Sequence, residues 1–403
     1  MDLIPDEVDT AIIATPASTV VEIMESCARK GVKAAIVVSS GFSEEGNKRL
    51  EQEIVKIAKR AGIRVIGPNT TGVLNTANNF ITTFVPIENL RRGNVALVAQ
   101  TGMFLGAMLR SIASSQHFGV SKVVGLGNKC DVDDWEALEY LAQDPETALI
   151  GMYIEGIKDG RGFLEVSQRV TKEKPVLILK SGITEVGSKV VLSHTGSLSG
   201  KDEVFDAACK QAGIIRVRSL EELIDLTKAF AFQPLPRGNR VAVVSFTGAG
   251  GVIATDACAE NGLAVARISR ETEKRLRRVT PKWHRILNPV DLWPAVEASG
   301  TIEACNTAIK AIVEDEGVDE VIVILAVFKG MVLPCDLDIL KEKRHLDKPL
   351  LFCIIGDKDY AELMTGVLER RGFPVYPYIT RAVKASAAMH RYSAQRKRLC
   401  LLF

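Results

Sequence analysis

At 403 residues the chain is longer than one hydrophobic core usually supports, so two or three domains are expected. Its 47% hydrophobic and 25% charged residues are those of a globular protein, and a net charge of +2 offers no bulk attraction to nucleic acid or an anionic membrane. The longest apolar runs, such as residues 321–328, are too short to span a bilayer, and the opening Met1-Asp2-Leu3-Ile4-Pro5-Asp6-Glu7 is acidic where a secretory signal is basic. A cytoplasmic location is the expectation. The eight cysteines are scattered singly, with no Cys-x-x-Cys pair, which predicts free thiols and no metal site.

Residues 1–88 alternate apolar strands with helices: a strand over 9–15, a helix through Cys27, a strand over 33–40, a helix over about 44–61 and a last strand at 64–69. In a doubly wound α/β arrangement ligands bind at the carboxyl ends of the strands. Thr15-Pro16, Ser39-Ser40-Gly41 and Gly67-Pro68-Asn69-Thr70-Thr71-Gly72 fall at those ends.

A second block runs over 92–232. Residues 94–99 read as a strand, and Gln100-Thr101-Gly102 turns directly into a helix from Met103 to about Ser114. Such a turn offers unpaired backbone N–H groups and a positive dipole end to an anion. Residues 125–133, beginning Gly125-Leu126-Gly127, mark another glycine-containing strand end. The strand over 150–156 is closed by Glu155, a carboxylate at the end of an apolar run, where it is costly without a partner. After a strand at 175–179 comes Val191-Leu192-Ser193-His194-Thr195-Gly196-Ser197-Leu198-Ser199-Gly200, and then a helix over 202–212. This places His194, one of five histidines, on a loop rich in small hydroxyl residues and glycine.

The third block, 238–395, follows the proline-rich Gln233-Pro234-Leu235-Pro236-Arg237-Gly238. Its opening repeats the second block's: a strand over 240–245, a glycine-rich turn with Gly248, Gly250 and Gly251, and a helix from Val252 to Asn261. Both begin with Gly-Asn and a Val-Ala-x-Val run, at Gly93-Asn94 with Val95–Val98 and at Gly238-Asn239 with Val241–Val244, which predicts two related flavodoxin-like domains, each with a helix N-terminus suited to a phosphate. Strands near 321–327, 350–355 and 375 complete the domain, and Asn288-Pro289-Val290-Asp291-Leu292-Trp293-Pro294 forms a structured loop beside the turn.

Ser193-His194-Thr195-Gly196-Ser197-Leu198-Ser199-Gly200, preceded by Lys180-Ser181-Gly182 and followed by residues 206–213, resembles the phosphohistidine segment of the NDP-forming acyl-CoA synthetases. That superfamily includes the ADP-forming acetyl-CoA synthetases and the succinyl-CoA synthetases, and the resemblance runs over essentially the whole chain. It implies an α/β protein with a partial Rossmann-like CoA-binding domain (1–88), a succinyl-CoA-synthetase-like flavodoxin domain carrying the phosphohistidine (92–232) and a second flavodoxin-like CoA-ligase domain (238–395). It further implies that His194 takes up a phosphoryl group while Glu155 supports it. Thr15, Pro16, Ser39, Ser40, Asn69 and Thr70 would line the CoA site, and Gln100, Thr101, Gly102, Gly248, Gly250 and Gly251 would face phosphate.

Two departures accompany the resemblance. Family members begin with a further strand–turn–helix–strand unit carrying a glycine-rich turn, and this sequence has no Gly-x-Gly-x-x-Gly before Asp9. Phe246 stands where members often have asparagine. The sequence has no P-loop, so ATP or ADP with Mg is expected on an ATP-grasp subunit or fused domain, in a hetero-oligomer. The implied reaction interconverts acyl-CoA, phosphate and ADP with acid, CoA and ATP through acyl phosphate and phosphohistidine. The alternative is a non-catalytic CoA- or acyl-CoA-sensing module, or the regulatory part of a protein acetyltransferase.

Overall fold

The first sheet holds three parallel strands, Thr10–Ile13, Ala34–Val37 and Arg64–Ile66, in that spatial order. Helices Ala17–Lys30 and Lys48–Ala61 connect them and pack their apolar faces onto one core of Ile13, Val20, Met24, Ile54, Ile57 and Val65, among others. Both helices end on a left-handed glycine, Gly31 and Gly62, as a chain turning straight into the next strand requires. The computed structural model describes residues 4–195, 200–330, 335–336 and 348–401, without the side chains of 192–195, 400 and 401.

The second sheet has seven strands in the order Ile215–Val217, Val176–Lys180, Leu149–Ile154, Arg92–Ala99, Val120–Gly125, Val73–Asn75 and Phe80–Ile81. Residues 73–81 thus hydrogen-bond into this sheet rather than the first, as a short antiparallel hairpin on the Val120–Gly125 strand. The central strands Leu149–Ile154 and Val176–Lys180 are apolar almost throughout because both faces of a parallel sheet are covered.

The third sheet orders its strands Ala264–Val265, Arg240–Ser245, Glu320–Val327, Leu350–Gly356 and Val375–Tyr376, all parallel, with Val290–Asp291 also pairing with Arg240–Ser245. Numbered from the strand that leads into each glycine-containing turn, the five parallel strands of the second and third sheets follow one spatial order, 2-1-3-4-5. That is the flavodoxin-like winding, so the Gly-Asn and Val-Ala-x-Val that open both blocks are the sequence trace of a repeated fold. The chain divides into two units, Met1–Leu223 with the first two sheets and Ile224–Phe403 with the third.

One element differs from the sequence reading. The segment expected to be a loop around His194 is helical over Glu185–Thr195. Thr184 starts it: its Oγ1 accepts from Gly187 N at 3.0 Å and its carbonyl from Ser188 N at 2.7 Å. Glu185 adds a negative charge at the positive end of the helix. A cap and a compensated dipole outweigh the weak helix preference of Gly187 and Ser188. Residues 196–199 of the same stretch lie outside the described residues.

Candidate functional site

The carboxyl end of the second sheet gathers the residues of interest. Glu155 follows strand Leu149–Ile154 directly and is 5% exposed. Gln100, at the end of the neighbouring strand, fixes the chain there: its side-chain oxygen accepts from the backbone N–H groups of Glu155 and of Gly156, the latter at 3.1 Å. Its own backbone N–H donates to Tyr153 O at 3.2 Å. Gln100 is therefore a tie between two strand ends, with its oxygen already engaged.

Glu155 Oε1 accepts from the Tyr153 hydroxyl at 3.4 Å, and that hydroxyl accepts from Ser181 Oγ at 2.6 Å. Burial, with the nearby carboxylate, raises the pKa of the Tyr153 hydroxyl, so it stays a proton donor toward Glu155. Phe104 holds the phenol ring with centroids 5.2 Å apart. Glu155 Oε2 is buried and has no hydrogen-bond partner among the described residues. A buried carboxylate oxygen in that state is short of one donor.

Behind this site lies a second buried charge cluster. Lys129 Nζ donates to Gly156 O at 2.8 Å, pairs with Asp133 at 3.1 Å and is in closer contact with Asp134. Burial pushes the Asp134 carboxyl up, while Lys129 holds it down, and its Oδ1 has no partner among the described residues. Nothing in the sequence singled out this trio, because the residues that bury it are far along the chain.

The Gln100-Thr101-Gly102 turn leads into a helix that runs in π form over Phe104–Met108 and in α form over Leu109–Ser115. Gly102 is exposed, and Thr101 Oγ1 reaches only Met103 N, at 3.4 Å. Met103 N and Phe104 N turn back onto Thr101, the latter to its carbonyl at 3.3 Å, which leaves the N–H groups of Thr101 and Gly102 at the turn itself for an acceptor. Thr71, whose hydroxyl is buried without a partner among the described residues, lies alongside: a Cβ at Gly102 would stand 3.0 Å from Thr71 Cγ2.

The second glycine-rich turn is built differently. Thr247 caps helix Gly248–Glu260 by accepting from Gly250 N at 3.0 Å. A Cβ at Gly250 would meet Ser245 Oγ at 2.6 Å and one at Gly251 would meet Pro289 Cβ at 2.9 Å, so close packing explains both glycines. A cavity of about 260 Å³ opens here, and Asp256 and Asp291 line it with Gly248. Two carboxylates disfavour an anion. Phe246 is buried in the core of this unit. Asn288, whose role the sequence left open, stitches strand edges: it accepts from Val243 N at 2.8 Å and donates to Val241 O at 2.9 Å and Ala266 O at 2.8 Å.

At the carboxyl ends of the first sheet, Pro16 opens helix Ala17–Lys30 without a side-chain cap, and exposed Ser40 stands beside Ser39, whose Oγ donates to Thr15 O. Asn69 takes a left-handed φ of 58° and donates to Ser39 O at 2.8 Å. Thr70 is buried and its hydroxyl is used twice, toward Gly125 O and from Gly72 N. Thr15, Pro16, Ser39, Ser40 and Asn69 thus form one rim, whereas Thr70 faces inward. The Ser43–Glu45 turn beside this rim packs against helix Glu185–Thr195, the element on which His194 falls. The His194 side chain lies outside the described residues. Among the described residues no three His, Cys, Asp or Glu side chains are placed to hold a metal, and no helix is long and apolar enough to cross a membrane.

A three-stranded parallel sheet followed by two flavodoxin-like sheets of one winding places the chain in the CoA-ligase class. Family models agree domain by domain: a CoA binding domain matches residues 1–76, a succinyl-CoA ligase like flavodoxin domain 92–230 and a ligase-CoA domain 241–400. The alpha subunit of acetate–CoA ligase (ADP-forming) II of Pyrococcus furiosus is 38% identical over 93% of this chain and 81% of its own length. The acetate–CoA ligase (ADP-forming) II of Archaeoglobus fulgidus is 48% identical over 98% of this chain, which spans 58% of that protein. A solved structure of the dinucleotide-forming acetyl-coenzyme A synthetase 1 of Candidatus Korarchaeum cryptofilum, in complex with phosphate and ADP, superposes with a TM-score of 0.91 at 32% identity, covering 100% of this chain and 86% of that one. The chain belongs to the family of ADP-forming acetate–CoA ligases.

Proposed function

We propose that this chain carries the CoA and phosphohistidine half of an ADP-forming acyl-CoA synthetase. Phosphate attacks the thioester of an acyl-CoA to give acyl phosphate and CoA; His194 then takes the phosphoryl group, releasing the carboxylic acid, and passes it to ADP to form ATP. Histidine suits the relay because it is nucleophilic at neutral pH and its P–N bond gives up the phosphoryl group readily. The observation that carries this reading is Glu155, whose buried Oε2 has no partner among the described residues at the strand end nearest the Gln100–Gly102 turn. An imidazole N–H is the donor that oxygen lacks, and accepting from it would hold the His194 tautomer with its other nitrogen free to attack.

On this reading the N–H groups at Thr101 and Gly102 receive the transferred phosphate, with Gln100 holding the turn in place. The Gly248 turn, capped by Thr247 and faced by Asp256 and Asp291, is the poorer of the two phosphate sites, and Gly250 and Gly251 serve packing. Thr15, Pro16, Ser39, Ser40 and Asn69 border CoA, and Thr70 fixes the backbone beneath. The domains run over 1–88, 92–232 and 238–395, with the hairpin at 73–81 bridging the first two. ATP or ADP with Mg binds on an ATP-grasp subunit or fused domain, in a hetero-oligomer, and the assembly works in the cytoplasm. The relatives named above are ligases, and no observation favours the sensing alternative.

The test is labelling. Incubated with radiolabelled phosphate and acetyl-CoA in the complete assembly, this chain should acquire an acid-labile, base-stable label. His194→Asn should lose the label and net turnover while still releasing CoA from acetyl-CoA and phosphate, because that step precedes the histidine. A label that survives in His194→Asn refutes the assignment.

A further inference from the structure

On the other face of the same strand ends lies a cavity of about 560 Å³ between helices Gly160–Val170 and Asp202–Ala212. That is within the roughly 300–1,000 Å³ of small-molecule sites. Its wall is mainly apolar, formed by Phe163, Leu164, Val204, Phe205 and Ala208, with Gln211 and the exposed Lys201 also lining it and one deeply buried cation, Lys180, at 5% exposure. Lys180 ends strand Val176–Lys180 in register with Ile154. Side chains alternate along a strand, so Lys180 and Ser181 face opposite ways, and Ser181 belongs to the Tyr153–Glu155 chain.

The ammonium of Lys180 donates to one carbonyl, Ser181 O at 3.0 Å, and stands 5.7 Å from the centre of the Phe205 ring. It forms no ion pair among the described residues. The nearest acid in charge terms, Asp202, is taken by Arg216 and Arg218. A buried ammonium with a neutral acceptor and an aromatic face is left without a counter-charge, and the hydrocarbon wall beside it would not favour a hydrated inorganic anion.

We propose that this cavity binds an apolar monocarboxylate, an aryl or branched alkyl acid whose carboxylate pairs with Lys180 and whose hydrocarbon body fills the space between Phe163 and Ala208. A carboxylate supplies the missing charge in a charge-assisted hydrogen bond, and the body gains the burial that acetate lacks. The site is separate from the one built around Glu155 and does not rest on phosphoryl transfer, since binding needs no CoA, phosphate or nucleotide.

Calorimetric titration of the full chain tests it, with 4-phenylbutyrate as probe, acetate as the acid without a body and 4-phenylbutan-1-ol as the body without a charge. Saturable single-site binding of 4-phenylbutyrate is expected, with both controls at least about tenfold weaker, a factor worth about 1.4 kcal/mol. Lys180→Met should weaken the probe by the same factor. Val204→Glu, at a position 66% exposed where the fold tolerates a charge, should do so too by repelling the carboxylate. The proposal falls if the alcohol binds as tightly as the acid, if both variants bind like the parent protein, or if no saturable binding occurs.

Discussion

Two buried glutamates show how one residue type takes two roles according to what it lacks. Glu155 has a partner on one oxygen and none on the other among the described residues. On the proposed reading it acts through His194, so Glu155→Gln should slow phosphorylation of the histidine, and Glu155→Gln/His194→Ala should be no worse than His194→Ala alone, because residues acting as one unit are not additive. Rapid-quench labelling measures this, and clearly additive losses would assign Glu155 a role of its own. Glu320 is wholly buried, neither oxygen has a partner among the described residues, and burial pushes its carboxyl up to about 8, against a smaller opposing effect of Ser386. The folded chain therefore holds the neutral acid. Below about pH 4.3, the ordinary glutamate value, both folded and unfolded states are protonated and the full stability is present. As pH rises from there to about 8 the unfolded chain ionises first, so stability falls, and above that the loss is complete. The drop is on the order of a few kcal/mol. Urea unfolding at pH 5 and pH 9 should show it in the parent chain and not in Glu320→Gln. In the sequence Glu155 was visible as a carboxylate closing an apolar run. Glu320 opens such a run and looks like an ordinary strand start, because its burial comes from a helix some 60 residues on.

The elements joining the first two sheets depend on close backbone approach. Residues 128–132 run along the outer strand of the first sheet: Asn128 N donates to Pro68 O at 2.9 Å, Cys130 N to Gly67 O at 3.0 Å and Val132 N to Val65 O at 3.2 Å. Asn128 also reaches the Ser43–Glu45 turn and Glu51, while Arg64 pairs with Asp131 at 2.9 Å and Glu136 at 2.7 Å. Gly127 makes this possible. Its φ is +57°, and a Cβ there would stand 2.2 Å from Pro68 O. Gly127→Ala should cost at least about 1 kcal/mol for the left-handed backbone alone, with the clash in addition. Hydrogen exchange should quicken at residues 64–70 and 128–132 and stay slow in strands Arg240–Ser245 and Glu320–Val327; unchanged exchange at the seam would refute the account. Periodicity and apolar runs made the parallel strands legible, since a strand covered on both faces writes its burial into every position. The seam was not legible, because glycine at 127 reports a close approach without naming the backbone that approaches. The helix over Glu185–Thr195 was missed for a local reason: glycine, serine and threonine suggested a turn, and the Thr184 cap decided otherwise.

At the scale of the whole molecule the repeated 2-1-3-4-5 winding gives two turns of one design with different surroundings. The Gln100–Gly102 turn has the backbone of Glu155 and Gly156 tied to the Gln100 side chain, and the Gly248 turn has its cap filled by Thr247 and two carboxylates in its cavity. The sequence repeat made both turns visible and could not rank them, since the difference needs Asp256, on the helix of the repeat itself, to meet Asp291, which strand Val290–Asp291 brings in from outside it. On the proposed reading phosphate chemistry centres on the Gln100–Gly102 turn and His194, and a nucleotide comes to them. The chain spans 58% of the Archaeoglobus relative, and it resembles along most of its length a Pyrococcus protein named as a subunit. If nucleotide is supplied from outside these residues, the chain given ATP and Mg alone should stay unlabelled, while adding an ATP-grasp subunit from a close relative should bring label from γ-labelled ATP onto His194. Chase with ADP should then remove it, because the P–N bond returns its phosphoryl group. Labelling of His194 from ATP without the added subunit would show that the nucleotide site lies on this chain, and no labelling with the subunit present would remove His194 from the nucleotide half of the reaction.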